Sequence, residues 1–137
     1  MITLGWVETF VAAYFAKFAG IDKWRQASVA EARAGKQVTT RIGRIPDNAT
    51  DTSLFCLPVQ ANGADAFKLA LVLISRRLKG IDAHTVHTLQ DEIIVEARDE
   101  IADQVQVIVE ESMVEAFRKI IPEVPFVAEI RVAEAWG

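Results

Sequence analysis

A chain of 137 residues, 51% hydrophobic and 25% charged, is long enough for one domain with its own core and too apolar to stay disordered. Its net charge of −4 argues against a free-standing nucleic-acid binder, which is usually basic. One cysteine and two histidines exclude an internal disulfide and all but exclude a structural zinc site.

No apolar run reaches the length of a membrane span, and the amino terminus lacks the basic start and cleavage site of a secretory signal. A reducing cytoplasm is the expected setting, with Cys56 a small buried apolar residue. Charge is unevenly spread. Arg33, Lys36, Arg41 and Arg44 form one basic cluster and Arg76, Arg77 and Lys79 another, while acids concentrate between Asp91 and Glu115. Each basic cluster is either a nucleic-acid contact or an ordinary solvated face or helix end.

From Trp6 to Phe18 the apolar residues Val7, Phe10, Val11, Tyr14, Phe15 and Phe18 recur at helical spacing and predict a helix that Gly20 breaks. Ile21 to Ala34 reads as a second helix, stopped at Gly35. Gln37 to Ile42 is rich in β-branched residues and reads as a strand, followed by a turn at Ile45-Pro46-Asp47-Asn48. Ala49 to Phe55 fits either helix or strand.

Gly63 to Lys79 is the clearest helix, with Ala64, Phe67, Leu71, Ile74 and Leu78 on one face and Gly80 as its stop. Ala83 to Leu89 and Ile93 to Val95 read as two strands of a hairpin. On a regular strand His84 and His87, three apart, face opposite sides and cannot share a ligand. Asp99 to Lys119 is helical again, with Ile101, Val105, Ile108, Ser112 and Ala116 inward; its first-turn acids and last-turn bases suit the helix dipole. Phe126 to Val132 alternates and reads as a strand. Trp24 and Trp136 are expected to pack. The order helix, hairpin, helix, strand in the second half predicts an α+β fold, a small antiparallel sheet with helices packed on one face.

The residues that point to chemistry are Asp91 and Glu92, adjacent carboxylates between two apolar strands. A short turn would hold such a pair rigidly at one edge, where a hard divalent cation could take oxygen ligands. Turns also favour Asp and Glu for conformational reasons alone.

Several segments in consecutive order give that pair a context. Leu57-Pro58-Val59-Gln60, then Gly63-Ala64-Asp65 and Lys68-Leu69-Ala70, resemble the "P-x-Q-G-T-x-A-D-x-x-K-x-A" segment of family A DNA polymerases, the DNA polymerase I type. Leu89-Gln90-Asp91-Glu92 resembles that family's motif C, usually "V-H-D-E". Val124-Pro125-Phe126 through Glu134-Ala135-Trp136 resembles the end of such polymerases. Upstream, Tyr14-Phe15-Ala16-Lys17-Phe18-Ala19-Gly20-Ile21 is similar to "Y-F-x-x-Y-P-G-V", and Arg44-Ile45-Pro46-Asp47 to a shortened "G-R-R-x-x-x-P-D".

The resemblance implies one domain over 1–137: a helical part at 1–60 from the end of the fingers, and a palm part at 61–137. It implies template-directed nucleotidyl transfer to a DNA primer by a two-metal mechanism. Asp91 and Glu92 would be catalytic, Asp91 a ligand of Mg²⁺, and Gln60, Gln90, Arg41 and Arg44 DNA-binding. The implied partners are primer-template, dNTP and the remainder of the polymerase.

Departures limit what carries over. Gln90 stands where the family has His and cannot carry charge. Cys56 and Thr52 replace Asn and Arg, and Ala61-Asn62 replaces Gly-Thr. The second metal-binding Asp of motif A and the fingers helix of motif B have no counterpart in this sequence, so the isolated chain is expected to be inactive. The alternative is a non-catalytic interaction scaffold, with the apolar Trp6–Phe18 helix exposed and able to drive homo-oligomerisation; the plain alternative for that stripe is ordinary core. A metal-dependent nuclease would need more clustered acids than Asp91 and Glu92.

Overall fold

The computed structural model describes residues 3–45 and 51–136 and divides into two compact units, Met1–Val59 and Gln60–Gly137. Four helices and one hairpin run in the order α1 (Leu4–Lys17), α2 (Ala19–Arg33), α3 (Asp51–Arg77), β1 (Ala83–Leu89), β2 (Glu92–Ala97) and α4 (Ala102–Ile120). A 3-10 turn, Asp99–Ile101, leads into α4.

In the first unit, Thr3 caps α1 by accepting a hydrogen bond from the Trp6 amide at 3.4 Å. The break between α1 and α2 falls at Phe18, whose backbone leaves the helical region, so Gly20 lies inside α2 rather than ending α1. Phe15 is the half-buried residue of α1 and lies under the Arg25 guanidinium of α2, 4.7 Å from ring centroid to charge. Trp24 packs edge-on against Phe55, as expected of a packing residue. Helix α2 ends in a paired motif: the Gly35 amide bonds the Ala32 carbonyl and the Lys36 amide the Glu31 carbonyl, both at 3.0 Å. Gly35 takes φ of +88° there, which an L side chain resists.

The expected strand at Gln37–Ile42 does not form. Instead the Thr40 amide bonds the Arg44 carbonyl at 2.8 Å, the Gly43 amide bonds the Thr40 carbonyl at 2.9 Å, and Gly43 sits at φ +83°. This is a three-residue turn closed by a left-handed glycine. The Thr40 hydroxyl also accepts from the Arg44 amide, a local bond that competes with a ladder. β-branched residues without a partner strand lose their main source of stability. The expected turn at residues 45–48 lies mostly outside the described residues.

Helix α3 is longer than the expected Gly63–Lys79. It starts at Asp51, so the ambiguous segment 49–55 is helical over its described part, and it runs through Pro58. Its buried face is Ala61, Asp65, Ala66, Ala70 and Ile74, continued by Leu78 just past its end; Phe67 and Leu71 are half-buried and Ala64 is exposed.

The second unit has the expected α+β character. Its core joins Ile74 of α3, Leu78 just after it, Ala83 of β1, and Val105 and Val109 of α4; Ile93, Val95 and Ala97 of β2 pack against it. A fully buried isoleucine such as Ile74 contributes about 1.5–3 kcal/mol. The sheet therefore lays one face on helices. Within α4, Val105, Ser112 and Ala116 are buried as expected, joined by Val109 and Ile120.

Among the described residues the sheet has two strands, and the expected third strand at Phe126–Val132 does not pair. The segment keeps part of its alternation nonetheless. Phe126 stacks on Phe117 of α4 with ring centroids 3.8 Å apart, Ala128 is buried, and Ile130 packs on the core, while Val127, Glu129 and Arg131 are exposed. The apolar pattern selected an inward face without supplying a ladder partner.

Candidate functional site

The site is the tip of the β1–β2 hairpin. Leu89 pairs with Glu92, which leaves Gln90 and Asp91 as a two-residue turn. Gln90 alone of the two has positive φ, +51°, the sign pattern of a II′ turn, whose twist matches its flanking strands. Glycine is the usual solution at that position; a glutamine there carries a strain of roughly 1–2 kcal/mol. Asp91 and Glu92 are both exposed, one in the turn and the next opening β2.

The turn is held from beneath on one strand only. From Glu92, β2 alternates Glu92, Ile94, Glu96 away from the core and Ile93, Val95, Ala97 toward it. At the far end of the hairpin, Arg98 Nε donates to Asp82 Oδ2 at 2.9 Å across exposed side chains.

The register corrects the expectation for the two histidines. His84 pairs with Glu96 and Thr85 with Val95, but the next partner of Ile94 is His87, so Val86 is an extra residue, a bulge. Cross-strand partners share a face, which puts His84 and His87 together with Glu96 and Ile94 on the face away from the core. A period-two reading cannot see such a phase change. Even so, no group of three or more His, Cys, Asp or Glu could hold a metal ion among the described residues.

The remaining candidates sit apart in the chain. Gln60 is exposed on α3, the first residue of the second unit, two positions after Pro58. Arg41 and Arg44 belong to the first unit, both exposed, Arg41 inside the Thr40–Arg44 turn and Arg44 closing it. Gln90 lies in the carboxylate turn itself. Cys56 is half-buried rather than fully buried.

One basic cluster turns out to be structural at its centre. Arg77 of α3 donates to the Ser112 hydroxyl of α4 at 2.9 Å and pairs with Glu115, while Ser112 donates to the Ile108 carbonyl at 2.6 Å. Lys119 reaches the other Glu115 oxygen at 2.6 Å. The hydrogen bonds from Lys119 and then Arg77 hold the Glu115 carboxyl below its ordinary range. Sequence reasoning missed this bridge, the bulge, and the contact of the Trp136 ring with His87 at 5.8 Å. The first left a signal in Arg77 and Glu115, both facing the half-buried flank of an amphipathic helix. The other two left none in a single sequence.

As a metal site the pair is incomplete and suitable at once. Two adjacent exposed carboxylates match ions that take one or two protein oxygens and complete their shell with substrate phosphates and water. They fall short of a cage made by protein alone.

The family model for DNA polymerase family A matches residues 2–137. DNA polymerase I of Aquifex aeolicus (strain VF5) is 34% identical over 139 residues, covering 98% of this chain and 24% of that protein. Thermostable DNA polymerase I of Thermus filiformis is 30% identical over 141 residues, covering 94% of this chain and 17% of that protein. Among solved structures, the POL domain of Pol1 from M. smegmatis, in complex with DNA primer-template and dNTP, aligns with a TM-score of 0.74. That alignment covers 84% of this chain and 23% of that one at 21% identity, a likeness of fold. The chain thus spans less than a quarter of these relatives. No helix of the described residues is long and apolar enough to cross a membrane.

Proposed function

Because this chain belongs to DNA polymerase family A, we propose that it is the C-terminal palm part of a DNA-directed DNA polymerase and that Asp91 and Glu92 are its contribution to nucleotidyl transfer. The observation that carries the reading is the exposed carboxylate pair on a two-residue turn whose second strand is rooted in the core. Asp91 would hold a divalent ion, Mg²⁺ in the cell, with Glu92 beside it. Such an ion, when bound, neutralises developing phosphate charge and lowers the pKa of an attacking hydroxyl. The protein's own task at this turn is to present two negative charges at a fixed place. Gln90 adds a hydrogen-bonding amide next to them, and Gln60, Arg41 and Arg44 would face primer-template. A cytoplasmic setting suits the single thiol.

The isolated chain is expected not to extend a primer. One carboxylate pair cannot place two ions, and no segment here supplies cations for a triphosphate. The decisive experiment replaces the matched segment of the Aquifex aeolicus polymerase with this chain. The chimera should extend a primed template, and Asp91→Asn within it should lower the rate at least about a hundredfold. A folded chimera indifferent to Asp91→Asn would overturn the reading.

A second reading is favoured by one feature, helix α1, which has no buried residue along its length. Trp6 and Phe10 stack on each other while more than half exposed. A palm scaffold kept as an interaction module would use this face for docking, against a second copy or the rest of a polymerase. In that case Asp91→Asn leaves binding of the partner unchanged.

A further inference from the structure

The two strands that present the Asp91 turn are anchored unequally. β2 sends Ile93, Val95 and Ala97 to the core. In β1 only Ala83 is buried, and every residue from His84 to Leu89 is exposed. The bulge at Val86 then separates the anchored end of β1 from the three residues that lead into the turn. A two-stranded hairpin held by one strand is marginal in water.

The C-terminal segment reaches this weak half-strand. It is itself held at three points: Phe126 on Phe117, Ala128 buried, and Ile130 on the core. At its end the Trp136 ring meets the His87 ring, centroids 5.8 Å apart and tilted by 55°. The register places His87 opposite Ile94, on the face turned away from the core. The hairpin is thus gripped on its inner face through β2 and on its outer face through His87.

We propose that Trp136 is a positioning residue for the Asp91–Glu92 turn, acting through His87 as the outer jaw of a clamp. The bulge gives this contact its purpose, since it brings His87 to the outer face, and of residues 87–89 only Thr88, opposite Ile93, lies on the inner side, where it stays exposed. The proposal rests on the reading of Asp91 and Glu92 as the chemical end of the hairpin.

The test uses the full 137-residue chain and two readouts by NMR. Amide hydrogen exchange follows local opening, and Mn²⁺ serves as a paramagnetic probe of the turn. In Trp136→Ala, the amides of His87–Glu92 should exchange about two- to tenfold faster, the value of one aromatic contact. Those of α3 and α4 should keep their protection. Trp136→Phe should restore most of the difference, and His87→Ala combined with Trp136→Ala should add nothing to either alone. Mn²⁺ broadening of the Asp91 and Glu92 signals should weaken in Trp136→Ala and return in Trp136→Phe. Unchanged exchange at the turn, or equal acceleration through both helices, would overturn the clamp. Absence of Mn²⁺ broadening in the unsubstituted chain would instead count against the metal reading, while the exchange data still decide the role of Trp136.

Discussion

Glu115 shows how one side chain can tie two helices without being buried deeply. It accepts from Lys119 within α4 and from Arg77 across to α3, and both bonds favour its charged form. Its pKa in the folded chain lies below the ordinary 4.5, so the unfolded state binds the proton more readily as pH falls. The stabilisation is fully present above 4.5 and is lost as pH drops through the lower, folded value. Glu115→Gln is therefore expected to lower the melting temperature at pH 7, with the gap to the unsubstituted chain closing on acidification below 4.5. Thermal melts across that range, followed by circular dichroism, check the sign; a gap that widens in acid would contradict it. Side-chain solvation screens part of this effect, because Arg77 and Glu115 are each about a third exposed. At the same scale, the carboxylate pair was legible in the sequence because Asp91 and Glu92 lie between apolar runs. The strain at Gln90 was not, since a glutamine does not advertise a positive φ.

Pro58 sits at the eighth position of α3, beyond the first turn where proline is tolerated. It cannot donate to the Leu54 carbonyl, and its ring crowds that turn, a cost of about 3 kcal/mol in a helix interior. The division between the two units falls just after it, between Val59 and Gln60. Pro58→Ala should restore the missing hydrogen bond. Part of the gain is offset by the freer unfolded chain, so about 2 kcal/mol of net stabilisation is expected in urea unfolding. A neutral or destabilising result would mean that helical backbone through residue 58 depends on the ring. This helix also illustrates what periodicity conveys. The spacing of apolar residues located α1, α2, the second half of α3 and α4 to within a few positions, because a helix buries a face by local geometry. Strands answer to partners instead. Thr40 bonded its own turn rather than a ladder, Phe126–Val132 packed without pairing, and the extra residue Val86 reversed the face of His87. The first is a local bond that competes with a ladder, and the other two depend on how a strand meets its partner, which apolar spacing alone does not encode.

At the scale of the molecule, the open question is what covers α1. Leu4, Val7, Phe10, Val11, Tyr14 and Phe18 all project from one side of it, with Trp6 at the stripe's edge, and each is at least two-fifths exposed. Soluble monomers rarely leave a contiguous apolar patch larger than a few hundred Å² in water, and aromatic side chains bring roughly 150–250 Å² each. The matched proteins contain several times as much polypeptide as this chain. In isolation the cheapest cover is a second copy, because an isologous contact buries the same stripe twice. The chain is therefore expected to sediment as a dimer or larger at micromolar concentration, and Trp6→Ser with Phe10→Ser to return it to a monomer while preserving helix content. Both positions are solvent-facing in the folded chain, so their replacement removes the driving force for association without opening a cavity. A monomer at every concentration before substitution would remove self-association as the cover. The face would then be left to the remainder of a polymerase, and adding the complementary Aquifex aeolicus fragment should protect the Trp6 indole from quenching in solution.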